Sequence, residues 1–529
     1  MTRTATGTKQ SLERSHGTSG WALVARLAAV PDLDATFLSL PLQALTDAAL
    51  GRASELGCDH ADIRIERLLN AYRTFRDHKL ESSTDYENLG MSVRVVHAGV
   101  WGFAAGIELT TDAAAGLVDR AVATARVSRP LTPDTVVLAP EPAYPDATWV
   151  SDYEVNPFDV DESEKQGRML ELCDRLLAAP GVTHTSALLW CVQENKYLAN
   201  LAGTTTIQQR VRLQPQITAV NVGDSSFAPM RTLAPPVGRG WEYLAGTGHD
   251  FDAEIAELPE HLAGHVAAPS IEAGRYDLVI DPTNLFLTIH ESIGHATELD
   301  RALGYEAAFA GTSFATFDRL GSLEYGSPVM NVTGDRLVDH GLSTIGYDDE
   351  GVAAQQFDIV RRGTLVGFQL NRHMAAANGL DRSNGCAFAA SPGNIPMQRM
   401  PNVSLQPEPN GPSTEELISA VDRGIYIVGD KSWSIDMQRY NFQFTGQRFF
   451  RIQNGKLAGQ LKDVAYQATT TEFWRSLEAV GNESTYLLGG AFNCGKGQPS
   501  QIAPVSHGSP AALFRNVNVL NTQAEGSAS

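Results

Sequence analysis

Basic residues are scarce in this 529-residue chain: 41 Lys and Arg stand against 61 Asp and Glu, a formal net charge of −20. That deficit argues against a broad cationic face, so neither nucleic acid nor an anionic membrane is an expected partner. Cysteine is scarcer still. The five cysteines are scattered and odd in number, which fits a reducing cytoplasm better than a disulfide scaffold. Long apolar runs are missing too. No uncharged apolar stretch reaches the roughly 18 residues that a transmembrane helix needs. The best one near the N-terminus, Trp21 to Val30, is interrupted by Arg26, and no signal peptide is recognisable. Repeats of fixed period are absent. What is there, 43% apolar and 19% charged residues, describes a soluble globular protein long enough for two or more cores.

Residues 1–20, rich in Thr, Ser, Gly and charge, are expected to be disordered. Helical periodicity over 42–56 starts after Pro41 and stops at Gly57. Alternating strands follow at 62–67 and 91–96, the second turning through His97-Ala98-Gly99 into 100–104 as a hairpin. An Ala-rich helix covers 111–127. Beyond the Pro-rich connector at 138–145 come a helix over 161–179, strands at 186–192 and 204–213, and a Pro-rich loop or crossing over 224–240. A helix over 252–268 precedes a short apolar strand at 276–280. After Gly311 short alternating segments dominate, with 415–422 the one clear later helix. The fold class is therefore α+β. An N-terminal α/β domain (21–240) is expected before a β-rich, barrel-like C-terminal domain (241–529).

The chemistry-bearing run is His290-Glu291-Ser292-Ile293-Gly294-His295, an HExxxH sequence inside that second domain. Asp281 and Pro282 offer an N-cap and a first helical residue, and Leu285, Phe286, Ile289 and Ile293 form one apolar face. In the familiar HExxH helix the two histidines lie about 40° apart around the axis; at i and i+5 they would lie about 140° apart. They could share one metal only if the helix widened locally. A π-bulge does this, and Gly294 would make the distortion cheap.

Two imidazoles leave a catalytic zinc one protein ligand short, with the fourth position kept for water. Glu298 could supply a carboxylate. Cys494, among Gly489, Gly490, Gly495 and Gly497, could supply a thiolate, favoured by nearby Lys496. Of the other cysteines, Cys173 and Cys191 read as core residues and Cys58 follows a helix cap, so Cys386 is the only serious rival.

HExxxH followed by Glu298 and by the distant Cys494-Gly495-Lys496-Gly497-Gln498-Pro499 resembles the TldD/PmbA metallopeptidases, the "modulator of gyrase" family. The resemblance runs from about Leu42 to Val519. It includes Val93-Arg94-Val95, Trp101-Gly102-Phe103-Ala104, Asp348-Asp349-Glu350-Gly351, Arg399-Met400-Pro401-Asn402, Gly424-Ile425-Tyr426 and Asn454-Gly455-Lys456. Retention of HExxxH makes the chain similar to the active, TldD-like subunit. The resemblance implies zinc held by His290, His295 and Cys494, with Glu291 catalytic. It also implies short or unfolded peptide substrates, and a homodimer or a heterodimer with a PmbA/TldE-like subunit that encloses the site. The chain departs from the family at Asn384-Gly385-Cys386-Ala387-Phe388, which lacks basic residues after the glycine, at Gln453, and at Val505-Ser506.

The expected reaction is hydrolysis by metal-activated water with Glu291 as general base. Glu298 is expected to orient a ligand histidine. Asp348, Asp349 and Glu350 lie near the site or form a solvated acidic turn. A zinc amidase acting on a specialised small molecule or modified peptide, and a catalytically idle metal-binding scaffold subunit, are the alternatives.

Overall fold

Period-two alternation builds the first half of the molecule, and both faces of the resulting sheet are buried. The computed structural model describes residues 33–223 and 226–523; the expected disordered segment 1–20 lies outside the described residues. Strands β1 (His60–Arg76), β2 (Lys79–His97), β3 (Val100–Gly106), β4 (Ala147–Val150), β5 (His184–Asn200), β6 (Thr205–Gly223) and β7 (Ser226–Arg231) form one sheet. Its order is β3-β2-β1-β5-β6-β4, with β7 also paired to β6. The β2–β3 hairpin turns through Ala98 and Gly99, both at positive φ (52° and 75°), the conformation that favours glycine in a tight hairpin.

Two expectations need correction here. β1 and β2 run far beyond 62–67 and 91–96, because they stay paired in register from His60↔Val96 to Arg76↔Lys79 with only one irregularity. The expected loop 224–240 contains β7. It closes a hairpin on β6, and its Pro229 sits on the sheet margin, where a missing N–H is tolerated.

Four helices, α1 (Leu42–Glu55), α2 (Thr111–Ser128), α3 (Glu162–Leu177) and α4 (Phe251–Ala267), cover the apolar face. Ala61, Ile63, Ile65, Met91 and Val93 meet α1 and α2 there, while Phe75, Leu189, Cys191 and Leu213 meet α3 and α4. The opposite face carries Asp62, Arg64, Glu66, Arg94, Glu194, Lys196, Arg210 and Arg212, all buried. Residues of the second half lie over it. Lys196 Nζ is 2.7 Å from Asp349, Arg94 Nη1 is 2.9 Å from Glu350, and Arg64 donates to the carbonyl of Asn394 at 2.7 Å.

The second half contains β8 (Gly274–Ile280), β9 (Arg423–Ile435), β10 (Asn441–Gln453), β11 (Lys456–Leu461), β12 (Val464–Thr469), β13 (Leu487–Lys496), β14 (Gln501–Ser509) and β15 (Ala512–Asn521). Strands β9, β8, β15, β12 and β10 pair in sequence, and β10 closes back on β9 as a five-stranded barrel. The expected α+β class with a β-rich, barrel-like second half is what forms. Two short helices, Arg372–Ala377 and Thr470–Arg475, join Thr414–Ser419, so 415–422 is not the one later helix. Each is a turn or two stabilised by an Asn371 or Thr469 side-chain cap, too short for periodicity to register. Among the described residues no helix is long and apolar enough to cross a membrane.

Helix α5 (Pro282–Ile289) follows β8 directly. Asp281 caps it by accepting from Thr283 N at 3.0 Å, and Pro282 is its first residue. Leu285 and Ile289 are fully buried, as is Ile293 just beyond, worth about 1.5–3 kcal/mol each. Its polar residues are anchored as well. Asn284 donates to the carbonyls of Gly429 (3.0 Å) and Thr445 (2.9 Å), and Thr288 Oγ1 lies 2.7 Å from Tyr466 Oη. Asn284 and Thr288 thus anchor the helix to the barrel strands, which makes it a rigid mount for the residues at its C-terminal end.

Candidate metal centre

Helix α5 ends by widening. Residues His290–Gly294 form a π-turn in which His295 N–H donates to the carbonyl of His290, five residues back, and His295–Thr297 then tightens into a 3-10 turn. This is the distortion that an i, i+5 pair of ligands requires. The imidazoles of His290 and His295 consequently face one another with ring centroids 4.7 Å apart. Gly294 has ordinary helical dihedrals, so backbone freedom is not its contribution. Its missing side chain matters instead: a Cβ there would lie 2.5 Å from Met400 Sδ.

Cys494 reaches the pair from β13. The β13–β14 ladder slips between Ala491 and Cys494, and past that irregularity the thiol points at His295, with Sγ 3.5 Å from Nε2. Bond lengths of about 2.05 Å for nitrogen and 2.3 Å for sulfur on a tetrahedral zinc put such a pair about 3.6 Å apart. His290, His295 and Cys494 offer ligand atoms all within 4.8 Å of one another, and all three residues are buried. This donor set fits a tetrahedral zinc. Among the described residues it is the one group of three or more His, Cys, Asp or Glu side chains so arranged.

Burial would raise the Cys494 thiol, but the facing His295 and Arg399 outweigh it and hold the thiol below its ordinary value. Arg399 also donates to the Cys494 carbonyl at 2.6 Å. Lys496 does not have the role expected from its place in the sequence. Its ammonium is taken by Asp300 at 2.8 Å and by Glu298 and Glu306 at 3.1 Å each. Cys386 stands apart from the cluster. Burial pushes its thiol up to about 11, and its carbonyl accepts from Arg399 N at 2.6 Å.

Glu291 projects from the π-turn with Oε2 2.8 Å from Arg439 Nη1. Burial would lift its pKa, yet the neighbouring histidines and Arg439 hold it below the usual carboxylate value. Glu298 is fully buried and accepts from His295 Nδ1 at 2.9 Å and from Arg301 Nε at 3.2 Å. Burial opposes its ionisation, but Lys496, His295 and Arg301 win and hold it well below the ordinary range.

Asp348, Asp349 and Glu350 neither approach the cluster nor form a solvated turn. All three are buried. Asp348 takes the backbone N–H groups of Glu350, Val352 and Ala387, Asp349 takes Lys196, and Glu350 takes Arg94. Asp349 and Glu350 clasp the charged face of the first sheet and Asp348 braces the turn that carries them, roles that a single acidic run cannot announce.

Two residues at the centre carry no motif that marks them in the sequence. Arg439 lies in the turn between β9 and β10, where nothing in the pattern singles it out. His507 lies on β14, with Nε2 2.7 Å from His290 Nδ1. An imidazole in the short run Val505-Ser506-His507-Gly508-Ser509, on the strand that pairs with the one carrying Cys494, was the available signal.

Known proteins resemble this chain over most of its length. Residues 273–521 match the family described as "PmbA/TldA metallopeptidase C-terminal domain", and residues 61–125 match "PmbA/TldA metallopeptidase domain 1". A metalloprotease of Methanothermobacter thermautotrophicus is 28% identical over 88% of this chain and 96% of its own. A zinc metalloprotease TldD homolog of Saccharolobus solfataricus is 22% identical over 88% of this chain and 98% of its own. The crystal structure of TldE from Thermococcus kodakarensis superposes with a TM-score of 0.68 at 15% identity, covering 90% of this chain and 99% of that one.

Proposed function

Because the chain belongs to the PmbA/TldD metallopeptidase family, we propose that it is a zinc-dependent peptidase, with the metal held by His290, His295 and Cys494. The observation that carries this reading is the π-turn: it gathers two imidazoles that a regular helix would hold apart, and a thiol from a distant strand meets them at zinc-like spacing. Zinc in such a site supplies Lewis acidity to a water molecule and to a peptide carbonyl. Two neutral imidazoles and one thiolate leave a Zn2+ with a net charge of about +1, the same as two imidazoles and one carboxylate.

The protein's own groups do the rest. Glu291 adjoins a ligand histidine and is held ionised, so it can take a proton from water and return it to the departing amine. Arg439 fixes one oxygen of that carboxylate and leaves the other free to act. Glu298 holds His295 in place, and Lys496 and Arg301 balance its charge.

A peptide substrate is supported by the strand that delivers Cys494. Among the described residues β13 pairs with β14 alone, so one of its edges has no strand partner. A groove of about 290 Å³ lined by Phe286, Leu287, Trp433, Leu487, Phe492 and Asn493 runs beside this strand up to the residue before Cys494. An extended peptide fits such an edge through main-chain hydrogen bonds. The structural likeness to TldE supports assembly with a TldE-like subunit or with a second copy.

The decisive variant is Glu291→Gln. It should retain zinc while peptide hydrolysis falls by roughly 10²–10⁴-fold. Unchanged hydrolysis of unfolded peptides by that variant would remove Glu291 from the reaction.

A further inference from the structure

We infer that His507 is a positioning residue for the metal site: it fixes the proton of His290 on Nδ1, so that His290 presents Nε2 as its ligand atom. The inference rests on the metallopeptidase reading and assigns a role to a residue outside the motif. Three groups in a row determine it. The carbonyl of Val403 lies 2.9 Å from His507 Nδ1. A carbonyl oxygen only accepts, so His507 Nδ1 bears a proton. His507 Nε2 then lies 2.7 Å from His290 Nδ1, and that contact needs one proton between the two nitrogens.

If His507 Nε2 supplied the proton, His507 would be an imidazolium. It is 0% exposed, and its ring nitrogens meet a neutral carbonyl and another imidazole, neither of them a carboxylate. A buried cation without a counter-charge costs several kcal/mol. The proton therefore belongs to His290, whose Nδ1 donates to His507 Nε2. The rings cross nearly perpendicular at 77°, with centroids 4.8 Å apart, which holds His290 in one orientation as well as one tautomer.

The two ligand histidines are thus supported in opposite ways. His295 donates its Nδ1 proton to a carboxylate, Glu298; His290 donates its own to a neutral imidazole. The neutral support adds no negative charge to a site that already contains a thiolate and has Glu298 beside it, so the bound metal keeps more of its electrophilic character than two carboxylate supports would leave it.

The test uses His507→Phe, which keeps a ring but cannot accept, His507→Leu as a second non-accepting variant, and His507→Gln, whose amide oxygen can accept the same proton. Zinc affinity is measured by chelator competition on each full-length protein, alongside the visible spectrum of the Co2+ form and the unfolding temperature of the metal-free form. The Phe and Leu variants should lose about 10–100-fold in zinc affinity and shift the cobalt bands, while Gln stays closer to the wild type. Metal-free forms that unfold at similar temperatures would tie the loss to the site. Two results would overturn the inference: a folded Phe or Leu variant binding zinc as tightly as the wild type, or Gln falling as far as they do. His290→Ala separates the claims. If it loses zinc while His507→Phe does not, the metal reading stands and the His507 role fails. A wild-type chain that takes up no zinc overturns both.

Discussion

On the inner face of the first sheet, Glu194 takes three hydrogen bonds from Arg210 and a fourth from Arg212, while Lys196 lies between Glu66 and Asp349. Around the π-turn, two imidazoles and a thiol face one another with donor atoms converging on one point. Both regions are buried clusters of ionisable groups. In the first, every charge meets its opposite and the cluster is closed. In the second, the ligand atoms face one another, with Cys494 Sγ 3.5 Å from His295 Nε2, and the groups that anchor the site (Glu298, Arg439, His507) are those just behind them. A closed cluster specifies how two halves of a molecule dock; an open one asks for a cation.

The sharpest way to break this contrast is to open the closed cluster. Glu194→Gln removes the partner of two buried guanidinium groups and should cost about 3–5 kcal/mol of stability in denaturant unfolding, with zinc affinity unchanged. Glu298→Gln probes the shell behind the open cluster. It should lower zinc affinity by roughly 10–100-fold in chelator competition, and equal affinity would make Glu298 part of an ion-pair network only.

Acid stability comes next. Arg94 and His60 outweigh the effect of burial and hold Asp62 at about 2, against an ordinary value of 3.8. A depressed acid contributes stability that is complete above the unfolded value and is lost as pH falls through the folded one, here between about pH 4 and pH 2. In Asp62→Asn the fall in stability over that window should be shallower by about 2 kcal/mol, read from urea midpoints. The smallest expected effect is that of Arg439→Met. Zinc content should be intact and kcat should drop about tenfold, equivalent to about 1.4 kcal/mol, because Glu291 loses its tether. An unchanged kcat would leave Arg439 a structural residue.

How much of this was legible in the sequence divides along the same line. Asp281, Pro282 and the apolar spacing of Leu285, Phe286 and Ile289 wrote the mount plainly, since capping and periodicity are local signals. The π-turn was legible because the i+5 spacing forbids a shared metal without it. Cys494 could be proposed from the glycines around it, but only folding brings it to His295, through a slip in a ladder that the sequence does not display. The charged face was not legible. Alternation in β1 marks two faces, but it does not tell that the charged one is covered by Asp349 and Glu350, a pairing between segments far apart in the chain. Lys496 shows the hazard of proximity in sequence. Positions two apart on a strand are separated by about 6.8 Å, and this lysine serves three carboxylates rather than the thiol.

The central claim is that His290, His295 and Cys494 together hold one metal ion. It is tested most directly by measuring the zinc content of the purified wild-type chain and of Cys494→Ser after dialysis against a chelator, with the unfolding temperature of each metal-free form. The account predicts one zinc per wild-type chain, little or none in the variant, and nearly equal metal-free stabilities. Zinc held as tightly by Cys494→Ser as by the wild type, or taken up by neither, would contradict it.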